Sequence, residues 1–382
     1  MLNIKVGSTT KQNTCDAAKE AANGMQGAKL AFLYSSVSYD QAELIGCLKK
    51  EMPGAAIVGN TSFTGVITPQ GYISGDYFAG VMAFEGEGFA VGVAGAGRGD
   101  CPVGTGEKIA REAMKKAGKT SAPDYFYMVA SPGEEEFFLK GITNVIGRVP
   151  FFGGSAADNA IAGEWKLFTD EMVTDNGVAV AFFYADNAFV NEYTGAYAES
   201  DKVGIITKVV DNRVLVEIDG VPAVEKYSQW SGKAVDQLKG MDLLVASICN
   251  PLGVKDRLGD LVAIRHPMNG NDDLSINVGS NLAEHTAVIY MDGSVDQLVR
   301  SAASTLEALK AKISDAAGYH LVHCGGRRAG FGERIDEVAG LIKQAAGDVP
   351  FIVEFTFGEY GFEADGNNTC GGLMLSYSAF GK

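Results

Sequence analysis

A cysteine followed by two glycines and two arginines is the pattern in this chain with the clearest potential for chemistry. The segment HCGGRRAGFGER (323–334) stands between a predicted strand and a predicted helix. A thiolate under backbone N–H groups at a helix start is typical of cysteine phosphatases. Their signature has an arginine six residues after the cysteine, where this chain has Gly330. We favour binding of an anion or a carboxylate by the loop amides and Arg327, because a guanidinium binds a carboxylate with two hydrogen bonds. A solvated arginine pair is the alternative.

Other residues of catalytic type do not form a recognisable site. His320 and His323 are three positions apart on a predicted strand, so their side chains point to opposite faces and cannot share a metal ion. The segment GGSAA (153–157) lacks the last glycine of a nucleophile elbow. The glycine-rich segment 95–108 matches neither a dinucleotide-binding fingerprint nor a P-loop. We predict no catalytic residue, no metal and no cofactor.

Polar residues that stand where apolar strands stop are candidates for binding a ligand: Asp158, Asn159, Glu359, Asn367 and Thr369. Such residues often bond their own backbone in turns, which is the alternative to a binding role. As binders, Asp158 or Glu359 would contact an ammonium group. Arg265 or Arg327 would contact a carboxylate, and this pairing would suit an amino acid. The sequence does not place these groups in one pocket.

The order of predicted elements repeats along the chain as a β-α-β-β unit. Copies begin at the strand-like segments 29–36, 124–131, 242–250 and 319–324, and the copy at 242–250 lacks its helix. Strands are predicted from short β-branched and aromatic runs, and helices from apolar residues at helical spacing, as in 333–348. In three copies a later strand breaks at a polar loop that bears glycine: GNTSFTG, GGSAADN or FGEYG. In each unit the loop after the first strand would lie near the loop after the second. Because ligands usually bind at strand-end loops of such scaffolds, we expect the set of loops to bind a ligand.

The repeat predicts an α/β (α+β) protein in which paired β-α-β-β units are duplicated. Its two domains would be 1–220 and 221–382, each with two units. The sheets would be mixed or antiparallel, with helices packed on them. The segment 203–227 would form a hairpin that bridges the halves, with turns at 211–212 and 219–220.

Composition argues against several classes of partner. The net charge of −15 repels phosphate backbones and anionic lipids, so neither nucleic acid nor membrane is expected as a partner. The longest apolar run, 177–185, is too short to span a bilayer, and the first residues carry no signal-peptide core. The six cysteines are far apart in sequence, which predicts reduced thiols. The resulting prediction is a soluble cytoplasmic protein.

Many short motifs resemble those of the FIST family, a small-ligand sensory module found in signal transduction proteins. The N-terminal part is similar in VGSTTKQNTCDAAKEAANGM, LAFLYSSVSYD, EMPGAAIVGNTS and VPFFGGSAADN. The C-terminal part is similar in DGVPAVEKY, HCGGRR, FTFGEYG and NNT. The resemblance spans nearly the whole chain. It implies an N-terminal and a C-terminal FIST domain that bind small molecules, with amino acids or their derivatives the usual proposal and no established catalysis.

The resemblance also assigns ligand-binding positions. The loops of the family map onto Gly59, Thr61 and Ser62; Gly153, Gly154 and Asp158; Cys324, Gly326 and Arg327; Gly358 and Glu359; and Asn367 and Thr369. We add Ser155, Asn159 and Arg265 to this predicted set. Two positions depart from the family, since Asn60 stands where its first loop often has cysteine and Val66 where it has glutamate. The pocket of the first unit is therefore expected to be altered or unused.

The predicted function is reversible binding of a small metabolite, an amino acid or a related compound, with the signal passed to a separate output protein. An enzyme that acts on a small anionic substrate with Cys324 as nucleophile is the alternative. A structural protein whose glycine loops only form turns is a third possibility.

Overall fold

A computed structural model describes residues 1–255, 261–362 and 368–382 of the chain. Asn367, one of the predicted binding residues, lies outside this described part. The first elements are β1 (Leu2–Thr9), α1 (Thr14–Ala21), β2 (Ala28–Ser35), α2 (Gln41–Glu51), β3 (Ala56–Thr61), β4 (Gly65–Thr68), β5 (Gly71–Ser74), β6 (Ala79–Gly86) and β7 (Phe89–Gly97). They are followed by α3 (Pro102–Lys116), β8 (Tyr125–Ala130), α4 (Glu135–Ile146), β9 (Phe151–Ser155), β10 (Leu167–Thr169), β11 (Met172–Thr174), β12 (Gly177–Ala185) and β13 (Phe189–Thr194).

The second half of the chain begins with a region of short strands. Its elements are β14 (Ala198–Val210), β15 (Val214–Ile218), β16 (Val221–Pro222), α5 (Ala223–Ser231), α6 (Asp242–Ala246), β17 (Leu252–Lys255), β18 (Val262–Arg265), β19 (Pro267–Gly270), β20 (Ile276–Val278) and β21 (Ala287–Asp292). The last elements are α7 (Val295–Lys310), β22 (Ala316–Cys324), α8 (Gly325–Phe331), α9 (Ile335–Ala346), β23 (Phe351–Thr356), β24 (Glu359–Phe362), β25 (Asn368–Gly371) and β26 (Leu375–Gly381).

Apolar stripes and, in some helices, capping side chains account for where the helices form. Of the predicted stripe in α9, Ile335, Val338 and Ile342 are buried against the sheet and Leu341 is half-buried. α2 begins after Asp40, whose side chain accepts a hydrogen bond from the backbone N–H of Glu43. Local sequence therefore sets where these helices start and which face they bury.

Three six-stranded sheets in the described chain share one strand order. The orders are β1-β6-β2-β3-β10-β11, β7-β12-β8-β9-β24-β25 and β13-β26-β22-β23-β4-β5. In each sheet the central pair is parallel, namely β2–β3, β8–β9 or β22–β23, and the described neighbours pair antiparallel. These mixed sheets, covered by helices, confirm the predicted fold class.

The outer hairpin of each sheet comes from a different part of the chain. β10 pairs with β3, β24 pairs with β9, and β4 pairs with β23. Each of the three units therefore gives a hairpin to one neighbour and receives a hairpin from the other. Two of these pairings cross the predicted boundary between residues 220 and 221, so the two predicted domains share hydrogen-bonded sheets.

The predicted fourth copy of the repeat is wrong. The strand expected at 242–250 begins as the helix α6, because its apolar residues pack as one helical turn over the region 198–292. That region forms an antiparallel eight-stranded sheet of its own. Its hairpin at 203–227 is present as β14 and β15, and φ is positive at Asp211 and Asn212, as the tight turn requires. The repeated strand order thus occurs three times, with this sheet inserted, rather than in two duplicated halves.

A buried polar cluster lies among aromatic rings where the sheets meet. Tyr34 Oη is 2.5 Å from His320 Nε2, which lies 3.3 Å from the carboxylate of Glu354. His323 contacts Tyr377 on the other face of β22, so the two histidines point apart, as predicted. No group of three potential metal-ligating side chains is found among the described residues. None of the described helices has both the length and the apolar composition needed to cross a bilayer.

One pair of cysteines departs from the prediction of reduced thiols. Cys15 on α1 and Cys47 on α2 form a disulfide, with their Cα atoms 5.2 Å apart. The packing of α1 against α2 brings the two residues together although they are 32 positions apart in sequence. The free cysteines in the described chain are Cys101, Cys249, Cys324 and Cys370.

Candidate functional site

Three strand-end loops meet at one cavity. Phe63 follows β3, Ile161 follows β9 and Phe357 follows β23, and all three side chains line it. The loops meet because the strand exchange brings the ends of these strands together. For example, the backbone N–H of Phe63 donates to the carbonyl oxygen of Phe355 at 2.9 Å.

The inserted sheet and the cysteine loop form the remaining walls of the cavity. The other lining residues are Leu244, His266, Met268, Gly279, Cys324, Gly325, Gly326, Ala329 and Gly372. The cavity has a volume of about 40 Å³, enough for two or three water molecules. Among the described lining residues none carries a charged side chain, so the interior of the site is mostly apolar.

Cys324 lines the cavity and is a protonated thiol. The residue is 4% exposed, and its Sγ accepts a hydrogen bond from the backbone N–H of Gly326 at 3.3 Å. Burial and the nearby carboxyl group of Glu359 raise the pKa of the thiol well above its ordinary value. Because the thiolate is the nucleophilic form, the arrangement does not activate this cysteine.

Glu359 is fully buried behind the cysteine. Its carboxyl group accepts hydrogen bonds from Thr356 Oγ1 and from the backbone N–H of Met374, both at 2.9 Å. Burial raises the pKa of Glu359 to about 8 despite these bonds and a bond with Cys324. The carboxyl group is therefore mostly protonated at neutral pH and adds little negative charge to the site.

The guanidinium of Arg327 is engaged inside the protein and does not line the cavity. It donates to the carbonyl oxygens of Gly195 at 2.8 Å and Leu298 at 3.2 Å, and to Ser301 Oγ. The residue is 0% exposed. These bonds tie α8 to α7 and to the end of β13, so this side chain fixes the loop that holds Cys324.

Asp158 shapes the loop that carries Ile161. Its carboxylate accepts hydrogen bonds from four backbone N–H groups of the same loop, those of Ala160, Ala162, Gly163 and Glu164. Charge-assisted bonds of this kind hold a loop firmly. The backbone N–H groups of the loop therefore already occupy the carboxylate that was predicted to contact a ligand ammonium. The side chain of Asp158 does not line the cavity.

Three of the nine non-glycine residues with positive φ in the described chain lie at or beside the cavity. Ile161 lines it with φ at 56°, a left-handed conformation that β-branched residues rarely adopt. Thr64, next to Phe63, has φ at 62°, and Leu373, next to Gly372, has φ at 55°. Such outliers persist only where the surrounding structure enforces them, and they cluster at functional sites.

Several of the predicted residues connect the loops without lining the cavity. Thr61 Oγ1 donates to the carbonyl oxygen of Ala157 at 2.7 Å, which ties the loop after β3 to the loop after β9. Asn159 Oδ1 accepts from the backbone N–H of Thr64 at 3.0 Å across the same junction. Ser62 Oγ accepts from the backbone N–H of Phe355 at 2.9 Å.

The predicted glycines allow close backbone packing beneath these loops. A Cβ on Gly59 would lie 1.9 Å from a carbonyl oxygen of β2, and one on Gly153 would lie 2.0 Å from a carbonyl oxygen of β8. A Cβ on Gly154 would meet the carbonyl oxygen of Gly358 at 2.7 Å. These positions let the strands and the loops approach one another.

Ser155 belongs to a second buried cluster, at the ends of β8 and β9. Its hydroxyl donates to Glu135 at 2.9 Å and lies 2.8 Å from the hydroxyl of Tyr360. Arg213, at the tip of the β14–β15 hairpin, donates to Glu135 and to Glu136, each at 2.6 Å. We call Arg213, Glu135 and Glu136 the arginine junction, since they join α4 to the inserted sheet.

The arginine junction reaches the wall of the cavity. Arg213 also donates to the carbonyl oxygen of Gly279, a lining residue, at 3.0 Å. The backbone N–H of Asn281 donates to Glu136 at 2.9 Å, and the carbonyl oxygen of Asn281 accepts from Arg265 Nε at 2.9 Å. Arg265 therefore supports this wall from behind rather than lining it.

The structure assembles the predicted set only in part. Cys324 and Gly326 line the cavity, and Gly358 and Glu359 follow directly on its lining residue Phe357. Thr369 lies on β25, opposite Gly361, and is not among the lining residues.

Sequence reasoning missed Phe63, Ile161, Phe357 and His266. The first three are apolar residues inside otherwise polar, glycine-bearing loops, which is the signal that could have found them. His266 carries no local signal, because it reaches the site only through the fold of the inserted sheet.

The sequence matches the models of a known family over most of its length. The FIST N domain model matches residues 29–221, and the FIST C domain model matches residues 223–361. The chain belongs to the FIST family, whose domains are sensory modules of signal transduction proteins. No curated protein matches the sequence.

Two solved structures resemble the chain loosely. Cyanuric acid hydrolase from A. caulinodans is 11% identical with a TM-score of 0.41, and the match covers 100% of both chains. Phosphoribosylformylglycinamidine synthase II from Thermotoga maritima is 10% identical with a TM-score of 0.23, over 100% of this chain and 72% of that one. Likenesses this loose support no conclusion about function.

Proposed function

We propose that the cavity binds an amino acid or a related small metabolite reversibly, and that this binding is the sensory step of the protein. The observation behind the proposal is the convergence of three strand-end loops and the inserted sheet on one apolar cavity. Ligand sites of this kind are concave and mostly apolar, with few polar groups. The strained backbone around the cavity supports the same assignment.

The apolar lining favours entry of the ligand side chain first. An ionised ammonium or carboxylate group would lose its hydration inside the cavity without gaining a partner of opposite charge. Arg327 and Asp158 already hold internal partners. The charged end of an amino acid would therefore stay at the mouth, where Ile161 is 41% exposed.

Binding of such a ligand requires movement. A volume of about 40 Å³ is smaller than most amino-acid side chains, so the loops that carry Phe63, Ile161 and Phe357 must move outward. The arginine junction couples the cavity wall at Gly279 to α4. We propose that displacement of this wall shifts α4 and so alters a surface that a separate output protein reads.

A thermal-shift screen with amino acids and their derivatives tests the proposal. A compound that binds only the folded protein raises its melting temperature by mass action. Ala329 lines the cavity from an exposed position, so Ala329→Phe should fill the mouth and abolish the shift, while Ala329→Ser should keep it. The proposal is wrong if no compound shifts the wild type, or if both variants respond like the wild type.

A further inference from the structure

The imidazole of His266 offers a single acceptor to the cavity. The residue is 4% exposed, and its Nε2 lies 3.1 Å from the carbonyl oxygen of Leu244. A carbonyl oxygen only accepts hydrogen bonds, so Nε2 carries the proton. Burial lowers the pKa of His266 to about 4, which keeps the ring neutral at physiological pH. Its Nδ1 is therefore an unprotonated nitrogen with a lone pair.

Gly326 leaves this nitrogen uncovered. A Cβ at position 326 would lie 3.4 Å from Nδ1 and 3.1 Å from Cε1 of His266. Both residues line the cavity, and glycine is the residue whose side chain does not fill the space between them. The same Cβ would lie 2.7 Å from Leu373 Cδ2, so position 326 has no room for a side chain, and no side chain from this position covers the imidazole.

The rest of the cavity suits an uncharged ring. Phe63 and Phe357 form an aromatic wall, with ring centroids 5.7 Å apart. Leu244 and Met268 add apolar surface on the side of the inserted sheet. Aromatic rings gain from contact with such surfaces, whereas an ionised group would be desolvated without a counter-charge.

We infer that the cavity selects an uncharged aromatic ring bearing one N–H or O–H group, with that group donating its hydrogen bond to Nδ1 of His266. Phenol and indole rings, free or as amino-acid side chains, belong to this class. This inference rests on the proposed function, and it narrows the ligand from amino acids in general to those with a donor on an aromatic ring. A site built to accept a hydrogen bond rejects the analogue that lacks the donor, because its acceptor is then left buried and unpaired.

Phenol and toluene are matched probes, since they share the ring and differ in a hydroxyl against a methyl group. We expect phenol to bind the wild-type protein about tenfold more tightly than toluene, measured by ligand-observed NMR titration. In His266→Leu the preference for phenol over toluene should be lost, because only the apolar contacts, which both probes make, remain. His285→Asn changes an exposed histidine at positive φ and should keep the wild-type ratio.

A second readout uses the wild-type protein and so does not depend on the folding of the variant. Bound phenol should shift the Nδ1 resonance of His266 in ¹⁵N NMR, while toluene should not. Equal affinity for the two probes in the wild type, or a phenol preference that survives in His266→Leu, would overturn the inference. If an aliphatic amino acid raises the melting temperature and Ala329→Phe abolishes this effect while phenol does not bind, the sensor stands and the ring selectivity is wrong.

Discussion

The parallel strand pairs β8–β9 and β22–β23 occupy equivalent positions in their sheets, but different side chains lie at their ends. Ser155 pairs with Ala130 at the end of one parallel pair, and Thr356 pairs with Cys324 at the end of the other. The first end is closed by the arginine junction, whose Glu135 bonds Ser155. The second end faces the cavity. We call the β8–β9 end closed, because a buried ion pair fills it, and the β22–β23 end open, because it faces the cavity. The backbone is equivalent at the two ends, so what each end can bind depends on its side chains.

The third equivalent end, at β2–β3, follows the closed pattern. Ser35 pairs with Thr61, and its hydroxyl donates to Gln41 at 2.7 Å. Gln41 in turn donates to the carbonyl oxygens of Ser36 and Tyr39, at 2.9 and 3.1 Å. The expectation that the pocket of the first unit is altered or unused agrees with this internal bonding, and it stays a prediction.

Opening the closed end should have the largest effect. Arg213→Met leaves Glu135, which is 3% exposed, without its counter-charge. Loss of one partner from a buried pair typically lowers the free energy of unfolding by about 3–5 kcal/mol. Urea denaturation measures this, and adding Glu135→Gln to the variant should recover part of the loss. A loss below about 1 kcal/mol would mean that the junction does not close this end.

The pH dependence of stability tests the protonation of Glu359, the carboxyl group buried at the open end. The folded-state pKa of Glu359 is about 8 against an ordinary value of 4.5, so the folded protein holds a proton that the unfolded chain releases. The stability from this proton is complete below pH 4.5 and is lost as the pH rises to about 8. Relative to Glu359→Gln, the wild type should lose roughly 2–4 kcal/mol across this window.

Denaturation midpoints measured from pH 4.5 to 8 give this difference. The exposed Glu333→Gln variant is the control and should follow the wild-type profile. Parallel profiles for the wild type and Glu359→Gln would show that the carboxyl group behind the cysteine titrates normally.

The smallest effect is expected from relieving strain in the loop after β9, where Ile161 lines the cavity. Ile161→Gly removes a left-handed β-branched residue that is 41% exposed, so little apolar contact is lost. We expect a gain of about 1 kcal/mol, since relief of strain exceeds the added chain entropy of glycine. Ile205→Gly, at a strand position that is 43% exposed, should instead lose stability. Equal losses in the two variants would show that the loop stores no strain.

The sequence predicted the β-α-β-β units and the glycine-bearing loops at their strand ends, because both depend on local patterns. The meeting of loops from three different units was not predicted, since it depends on the strand exchange. Apolar runs, helical stripes and glycine-bearing loops recur at each copy and specify β-α-β-β units. The strand exchange could not be predicted, since nothing in the hairpin β4–β5 indicates that its partner is β23. The arginine junction was hidden for the same reason, because Arg213 and Glu135 are 78 positions apart.

The exchanged hairpins have a consequence for how the chain is made. β4 cannot pair until β23 has been synthesised. Asn60, on the preceding strand β3, likewise donates a hydrogen bond to Glu354, a residue 294 positions further along the chain. At ribosomal rates the interval between the two is on the order of tens of seconds. During synthesis the N-terminal unit therefore carries an unpaired strand edge, of the kind that chaperones shield and that favours aggregation. The three units can pack together only after β23 and the strands that follow it have been synthesised, so the final step of folding comes late.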